Sequence, residues 1–336
     1  MRDPGLPIGP VDEQAVTVAV CTRNRPRLLR RALASILAQE AAVAEVLAVD
    51  NDPGQSARDA VSELGGVRYV SESRPGLDFA RNRALSAAHG DIVVFLDDDA
   101  VARPGWAAAL VETMTADPSV AACTGRVEAL ALDTPAQRLF EANGGFGRGD
   151  EEIRLPLHAG RRLHGLPAPL VAWAVSIGCG ASLAVRRRSA LDIGGFDEAL
   201  DLGPELPGGG DLDLLWRLLE AGWTVVYQPA ALALHEHRKE LEDLARQLSG
   251  HQRALVAFLV KSLWRAPRGR RAGIGGFLAW RLIKPWLRLL RRAVGRDPLP
   301  VPLLGRMALA SWSGLTAYGR ARRTLERRRT IAASRT

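Results

Sequence analysis

The sequence predicts an α/β fold, a mostly parallel sheet flanked by helices, with a basic helical C-terminal extension. Apolar runs alternate with segments of helical periodicity over the first hundred residues, which is typical of βαβ units. The run at 91–96 (DIVVFL) is almost entirely apolar, as in a strand covered on both faces. Residues 239–336 hold 22 basic and 5 acidic side chains, a net charge of +17, whereas residues 1–238 hold 23 and 32, a net charge of −9. This asymmetry indicates that the extension meets a polyanion.

The individual elements follow from local patterns. In chain order we expect strands at 16–21, 43–49, 67–70 and 91–96, and helices at 26–37, 55–64 and 77–88. Pro104 suits the first turn of a helix that ends at Met114. The later expectations are an extended segment at 120–132, a loop-rich insertion at 133–169, a strand-like run at 171–185, a helix at 211–221, a strand at 223–227, and helical segments after residue 239 with an Arg/Gly linker at 265–276.

Cysteine spacing and hydropathy bound the environment of the chain. The three cysteines are isolated from one another, so we expect free, buried thiols in a reducing compartment. The N-terminal segment lacks the apolar stretch of a secretory signal, and the mostly apolar run at 170–185 is shorter than a bilayer span. We therefore expect a cytoplasmic protein, with a tail at 1–14, one domain at 15–238 and the extension at 239–336.

Polar side chains follow three of the predicted strands, at Thr22–Arg25, Asp50–Asp52 and Asp97–Asp99. Ligand crevices of parallel sheets lie at the carboxyl ends of the strands, so these residues should converge. Three adjacent carboxylates repel one another unless a cation sits between them, and Mg²⁺ or Mn²⁺ binds such groups together with substrate phosphates. The alternative is a solvated acidic turn.

Three further groups carry candidate chemistry. Asp211 follows three glycines at the start of a helix, where it is either a general base or an N-cap. His235 follows the last strand and is either a third metal ligand or an ordinary histidine. Arg74 and Arg81 flank a predicted helix start that suits a diphosphate, or belong to a solvated face. Motifs for Rossmann dinucleotide binding, P-loop hydrolysis and a serine nucleophile elbow are absent.

Taken together, six consecutive strings resemble the family-2 glycosyltransferases of the GT-A fold. They are VTVAVCTRNRP, VDNDP, RPGLDFARNRAL, GDIVVFLDDDA, IGGFDEAL and GGGDLDLLWRLLEAGW. They follow one another in the family's order, and the resemblance covers roughly residues 15–238. The resemblance implies a nucleotide-sugar part at about 15–100 and an acceptor part at about 101–238. It also implies inverting transfer to a glycan, glycolipid or aglycone hydroxyl, as in the synthesis of cell-envelope polysaccharide.

The resemblance also implies roles for individual residues. Asp211 matches the family's catalytic Asp, although Gly210 stands where the motif has Glu. Asp97 and Asp99 match the D-x-D pair that holds the metal, and His235 matches a late metal-binding His. The residues expected to border the nucleotide sugar are Thr22, Arg23, Asp50, Asn51, Arg74, Arg81, Asn82, Asp97 and Asp98.

The extension lies outside the resemblance. Arg281, Lys284, Arg288 and Arg291 recur at helical spacing beside an apolar face, and Pro285 should kink this helix. Such a helix is typical of an interfacial membrane anchor, so 277–329 is expected to dock on the anionic inner face of the cell membrane. The alternative is a helical hairpin packed on the catalytic domain. No motif for nucleic-acid recognition is present.

The sequence therefore predicts a metal-dependent glycosyltransferase that uses Mg²⁺ or Mn²⁺ and a nucleoside-diphosphate sugar. Two alternatives remain open at this point. One is a catalytically weak, GT-A-like scaffold that docks on membranes, and Gly210 keeps this alternative open. The other is a sugar-nucleotide pyrophosphorylase, although such enzymes carry a glycine-rich loop where this chain has CTRNRP.

Overall fold

A nine-stranded mixed sheet forms the centre of the molecule in the computed structural model, which describes residues 16–39, 43–155, 162–163 and 166–333. The predicted tail at 1–14 lies outside the described residues. The strands are β1 (Val16–Thr22), β2 (Glu45–Asp50), β3 (Val67–Ser71), β4 (Ile92–Asp97), β5 (Ala100–Ala102), β6 (Val120–Ala129), β7 (Ile153–Leu155), β8 (Arg162–Leu163), β9 (Leu166–Pro167), β10 (Ser182–Arg186) and β11 (Thr224–His235). The helices are α1 (Pro26–Leu37), α2 (Arg58–Ser62), α3 (Leu77–Ala87), α4 (Trp106–Ala116), α5 (Pro135–Ala142), α6 (Leu170–Ile177), α7 (Arg187–Asp192), α8 (Gly210–Glu220), α9 (Leu241–Arg265), α10 (Arg268–Ala293) and α11 (Val301–Ala333).

The strand order of the large sheet is β3-β2-β1-β4-β10-β6-β11-β5, with β7 also paired to β11. Strands β1 to β4 form the parallel half, as predicted. Strand β10 runs antiparallel to both of its neighbours, and β11 is parallel to β6. Apolar side chains fill both faces of the sheet, because helices cover it on either side. Because β1 and β4 are parallel neighbours, their carboxyl ends lie at the same edge of the sheet.

Three sequence expectations in the second half of the chain were wrong. The run at 171–185 is a helix (α6) followed by strand β10, since Gly178 to Gly180 end the helix. A uniformly buried apolar run has no periodicity that separates helix from strand. The insertion at 133–169 contains helix α5, whose start is fixed by a capping box between Thr134 and Gln137. The expected linker at 265–276 is mostly helical, because α10 begins at Arg268.

The C-terminal helices pack on the domain that contains the large sheet. Lys261 of α9 is 2% exposed, and its Nζ lies 2.5 Å from Asp197 and 2.6 Å from Asp213 of α8. An apolar cluster also joins Leu200 and Leu206 to Tyr318 of α11. This packing agrees with the helical-hairpin alternative, and docking on a membrane stays a prediction. Within the described residues, none of the helices has an apolar stretch that could traverse a bilayer.

Candidate functional site

The acidic cluster lies at the carboxyl edge of the parallel half of the sheet. Asp97 ends β4 beside Cys21 of β1, and Asp98 and Asp99 form the turn into β5. The Thr22 hydroxyl donates to Asp98 across 2.7 Å. Arg25 donates to Asp98 and to Asp99, over 3.1 and 3.2 Å. The turn is thus held by hydrogen bonds and is buried, which excludes the solvated acidic turn as its description.

Three side chains of this edge could hold a divalent cation. One ligand atom each from Asp97, Asp99 and His235 lie within 4.8 Å of one another. His235 ends β11, where it pairs with Ala100 of β5 directly after the acidic turn. Two carboxylates and an imidazole are a donor set that suits Mn²⁺ or Mg²⁺. The residues present therefore fit the metal that the sequence predicts.

A chain of hydrogen bonds orients the histidine of this cluster. His235 Nε2 lies 3.0 Å from Asp99, and its Nδ1 lies 3.2 Å from His237 Nδ1. His237 Nε2 in turn lies 2.6 Å from a carboxylate oxygen of Glu141 on α5. Such outer partners fix the ring orientation of a metal ligand. The insertion that contains α5 therefore supports the metal cluster.

The electrostatics separate the carboxylates of the cluster. Burial raises the pKa of Asp97 to about 6, and the charges of Asp99 and Asp98 add to this effect against Arg81. Burial alone would also raise the pKa of Asp99, but His235, with Arg238 and Arg25, holds it well below its usual range. Asp99 is therefore ionised at neutral pH.

Asp211 lies in the first turn of α8 and faces the same cavity. The residue that caps this helix is Gly209, with φ of +95°, so the N-cap alternative for Asp211 does not apply. The amide of Gly180 donates to one carboxylate oxygen over 2.7 Å, and that of Leu212 to the other over 2.8 Å. Each oxygen keeps acceptor capacity for a substrate hydroxyl.

Arg81 connects Asp211's surroundings to the acidic edge. Its guanidinium is 4% exposed and lies 3.2 Å from Asp78, 3.3 Å from Asp201 and 4.0 Å from Asp97. Burial raises the pKa of Asp201 to about 6 although Arg81 opposes it. The sequence analysis singled out Arg81 but neither Asp78 nor Asp201, because a first-turn acid and a loop acid carry no distinctive spacing.

Gly210 is matched to Asp78 in space. A Cβ at position 210 would lie 1.9 Å from Asp78 Oδ2, and Asp78 is fully buried. Burial, with the charge of Asp201, raises the pKa of Asp78 well above its usual range. Where the resemblance leads one to expect a Glu side chain, the structure thus places a carboxylate that comes from α3.

A cavity of about 750 Å³ contains these groups, a size in the ordinary range of ligand pockets. The predicted site residues that line it are Thr22, Arg23, Asn51, Arg81, Asp97, Asp98, Asp99, Asp211 and His235. Helices of the extension also line it, through His251, Arg281, Lys284 and Arg288 among others. From the sequence we expect the last three of these on the basic stripe of an interfacial helix. The structure places them at the cavity wall, and docking on a membrane stays a prediction.

Three other predicted site residues have structural partners and are not among the residues that line the cavity. Asp50 accepts hydrogen bonds from the amides of Asp52 and Ala57 and from the Tyr69 hydroxyl. Arg74 forms a two-pronged ion pair with Glu72. The Asn82 amide exchanges hydrogen bonds with the backbone of Phe196. Asn51 lines the cavity, and its side-chain amide is also bonded to the backbone of the β3–α3 loop. Their roles toward a nucleotide stay predictions.

Comparison with known proteins identifies the family. Residues 17–193 match the family model described as "Glycosyl transferase family 2". The chain belongs to glycosyl transferase family 2. This agrees with the resemblance drawn from the six strings, and members of the family are transferases.

Two curated relatives of this family are similar over most of the chain. The pre-mycofactocin glycosyltransferase of Mycobacterium tuberculosis is 31% identical over 244 residues, which cover 71% of this chain and 46% of that protein. The chain thus matches about half the length of that relative. The succinoglycan biosynthesis protein ExoM of Rhizobium meliloti is 31% identical over 242 residues, 69% of this chain and 71% of the relative.

Among solved structures, a mannosyltransferase from Pyrobaculum calidifontis in complex with GDP-Man and Mn²⁺ has a TM-score of 0.56 and 20% sequence identity. The similarity covers 91% of this chain and 85% of the other. At this level of identity the similarity supports the GT-A-like fold alone.

Proposed function

We propose that this family-2 member transfers a sugar from a nucleoside-diphosphate sugar to a hydroxyl group of an acceptor, with inversion at the anomeric carbon. The observation that carries the proposal is that Asp211 and the Asp97–Asp99–His235 cluster line the same cavity. One wall suits the leaving diphosphate and another holds a base for the incoming hydroxyl. This pairing favours an enzyme over the scaffold alternative.

The donor end of the cavity is formed by residues at the carboxyl ends of β1, β2 and β4. Thr22, Arg23 and Asn51 border it beside the acidic turn. A divalent cation, Mn²⁺ or Mg²⁺, would supply Lewis-acid neutralisation of the departing diphosphate there. The buried Arg81 adds a fixed positive charge next to Asp97. The structural neighbour from Pyrobaculum calidifontis is in complex with GDP-Man and Mn²⁺, the two classes of ligand proposed here.

Asp211 would act as the general base at the other end of the reaction. Two backbone amides hold its carboxylate in a fixed orientation, so it can accept the proton of an acceptor hydroxyl that attacks the anomeric carbon. General-base catalysis of this kind contributes roughly 10²–10⁴-fold. Direct attack by that hydroxyl inverts the configuration, and the transition state resembles that of glycoside hydrolysis.

The domain assignment follows from this proposal. Residues 15–238 would form the catalytic domain, and 239–336 would complete its acceptor side and dock on the anionic inner face of the cell membrane. Support for docking is the large apolar residues that α10 and α11 expose, among them Trp280, Leu290 and Trp312. The acceptor hydroxyl would belong to a glycan, a glycolipid or an aglycone.

Calorimetric titration of the full chain with UDP, GDP and dTDP, each with and without Mn²⁺, tests the donor site. We expect one nucleoside diphosphate to bind in a metal-dependent way. Asp99→Ala should abolish the metal-dependent part, because it removes the ionised ligand of the cluster. Equal nucleotide affinity with Mn²⁺ and with EDTA would contradict the metal assignment.

Asp211→Asn is the matched variant for the base. It keeps the size of the side chain and should leave nucleotide affinity unchanged while turnover of the cognate sugar nucleotide falls by about 10²-fold or more. An active Asp211→Asn enzyme would remove Asp211 from the mechanism. If no nucleoside diphosphate binds the wild-type chain, the transferase proposal itself fails.

A further inference from the structure

Three cations of the extension line the catalytic cavity. Arg281, Lys284 and Arg288 lie at i, i+3 and i+7 on α10, so they share one face of the helix. All three belong to the cavity wall. Helix α10 lies outside residues 17–193 that match the family model, so this wall is a feature of the chain's own C-terminal part.

The positive charge of this cluster is incompletely neutralised within the protein. Arg288 forms an ion pair with Asp297, at 2.7 and 2.9 Å, and donates to Asn143. Among the described residues, neither Arg281 nor Lys284 has a carboxylate within ion-pair distance. Arg281 donates to Gln252 over 3.1 Å, whereas its Nε is buried without a hydrogen-bond partner. Within the part of the chain that the structure describes, Arg281 and Lys284 are thus left without an anionic partner.

The pKa values of these side chains point in the same direction. Burial, together with the charges of Arg281, Arg288 and Arg291, lowers the pKa of Lys284 to about 8 although Asp297 opposes this. Burial and the charge of Arg288 lower the pKa of Arg281 to about 10. Uncompensated charge in a cleft costs free energy that a bound anion recovers, and it marks a binding site more often than a packing site.

Another cation of the extension, Lys261, is neutralised by carboxylates of the protein itself. The buried Lys261 has two carboxylates, of Asp197 and Asp213, at 2.5 and 2.6 Å. The acidic wall of the cavity also has cations of its own, since Arg25, Arg81 and Arg238 lie within 4.0 Å of its carboxylates. Among the described residues, no ion pair with the acidic wall therefore neutralises Arg281 or Lys284.

We propose that Arg281, Lys284 and Arg288 form a subsite for a phosphate or diphosphate group carried by the acceptor, a proposal that rests on the glycosyl transfer proposed above. In that proposal the donor's diphosphate binds at the metal cluster, which lies at the turn between β4 and β5 and not on α10. A second anionic group in the same cavity belongs to the other substrate. Arginine forks and a lysine ammonium are the side chains that bind phosphate oxygens.

Methyl phosphate, titrated into the full-length protein in EDTA, tests this subsite. Without a cation the acidic wall repels phosphate, so binding reports the α10 cluster. We expect Arg281→Gln/Lys284→Gln to lose about tenfold or more in affinity, since hydrogen bonds to charged groups are the strong ones. The matched control is Arg323→Gln/Arg327→Gln, which removes the same charge from exposed positions of α11 and should bind as wild type does.

Two further readouts keep the result independent of folding and of the donor site. Arg281→Lys/Lys284→Arg keeps both charges and should bind methyl phosphate, unlike the double Gln variant. UDP, GDP and dTDP with Mn²⁺ should bind the double Gln variant as they bind the wild type. An equal loss of nucleotide affinity would place the cluster in the donor site and overturn the acceptor assignment. Equal methyl phosphate binding by wild type and the double Gln variant, or none by wild type, would overturn the subsite.

A second experiment distinguishes the source of the phosphate. It measures binding of the protein to vesicles of zwitterionic phosphatidylcholine, with and without a long-chain alkyl phosphate. Recruitment that needs both the alkyl phosphate and the α10 cluster would identify a lipid-linked acceptor. Methyl phosphate binding without such recruitment would identify a soluble phosphorylated acceptor. If no nucleoside diphosphate binds the wild type while methyl phosphate does, the transferase proposal fails and the anion site alone stands.

Discussion

At the scale of single residues, Asp78 and Gly210 form a complementary pair. The glycine leaves the space that the Asp78 carboxylate occupies, and that carboxylate contacts Arg81 at 3.2 Å. Gly210 therefore does not mean that a carboxyl group is missing next to Asp211. That group comes from a different helix, α3 instead of α8.

This complementarity makes a prediction for Gly210→Glu. The new side chain meets the Asp78 carboxylate at its first carbon, so Asp78 must leave its buried position and Arg81 loses a partner. We expect a loss of about 1–3 kcal/mol in the free energy of unfolding, as for overpacking in general, together with a large loss of turnover. Chemical denaturation and a transfer assay measure the two effects.

The double variant Asp78→Ala/Gly210→Glu gives the matched comparison. It removes the obstructing carboxylate and supplies one from position 210, so it should recover a substantial part of both losses, as coupled neighbours do. Gly305→Ala on α11, where a Cβ meets nothing within 4 Å, is the neutral control. If Gly210→Glu alone leaves stability and turnover unchanged, or if the double variant recovers neither, Asp78 and Gly210 are not functionally coupled.

At the scale of an element, α10 presents two different faces. Its cationic face borders the cavity, whereas a second face exposes large apolar side chains to solvent. These side chains are Trp280, Ile283, Leu287, Leu290 and Val294, between 39% and 68% exposed. Their spacing places them along one stripe. Such exposed stripes mark interaction surfaces, and Trp with Leu is typical of helices that lie in a membrane interface.

The apolar stripe predicts a specific loss of membrane binding. Trp280→Ser/Leu290→Ser should weaken binding to vesicles of phosphatidylcholine and phosphatidylglycerol by about tenfold or more, because two large side chains no longer insert. Co-sedimentation of the full chain measures this. Leu132→Ser, at a residue 44% exposed outside the extension, is the control and should bind normally. Wild type that stays in the supernatant would contradict membrane docking.

At the scale of the whole molecule, the C-terminal helices are part of the catalytic fold. Lys261 of α9 connects Asp197 of one site loop to Asp213 of α8, two residues after Asp211. Helix α11 adds the Tyr318 hydroxyl, which donates to Asp197 over 2.8 Å. The position of Asp211 therefore depends on side chains from the extension.

Lys261→Met tests this connection. It leaves the buried Asp213 carboxylate and the half-buried Asp197 carboxylate without their shared cation, and breaking a buried pair costs up to about 3–5 kcal/mol. Urea denaturation should show this loss, and Lys261→Met/Asp213→Asn should regain part of it. Lys239→Met removes a cation from an exposed pair with Glu236, and such pairs contribute about 1 kcal/mol or less. Equal effects of Lys261→Met and Lys239→Met would contradict an integral role for α9.

The parts of this structure that the sequence predicts are those governed by local rules. Alternating strands and helices at 16–97, and the convergence of Thr22, Asp97 and Asp99 at strand ends, follow from periodicity and from the geometry of parallel sheets. Helix α6 escaped prediction because an apolar run buried on all sides has no polar face to reveal its period. The capping box that starts α5 was a readable signal.

Other features depend on tertiary packing and leave no local trace. The pattern of α10 indicates an amphipathic helix, but it cannot tell which face the protein covers, and here the protein covers the cationic face. The complement of Gly210 is a residue more than a hundred positions earlier, Asp78, which resembles an ordinary acid at a helix start. Asp50 and Asn51 follow a strand as expected, yet backbone amides and carbonyls of neighbouring loops engage their side chains.

The contact of Lys261 with two site carboxylates also limits how such a protein can be recombined. If the cations of α10 bind the acceptor and the cluster on the sheet binds the donor, as proposed above, exchanging the C-terminal helices between relatives would change the acceptor while keeping the donor. The graft boundary cannot simply fall at residue 239. A chimera must keep cationic partners for Asp197 and Asp213 across the junction. Without them, Asp211 is displaced from its position in the cavity.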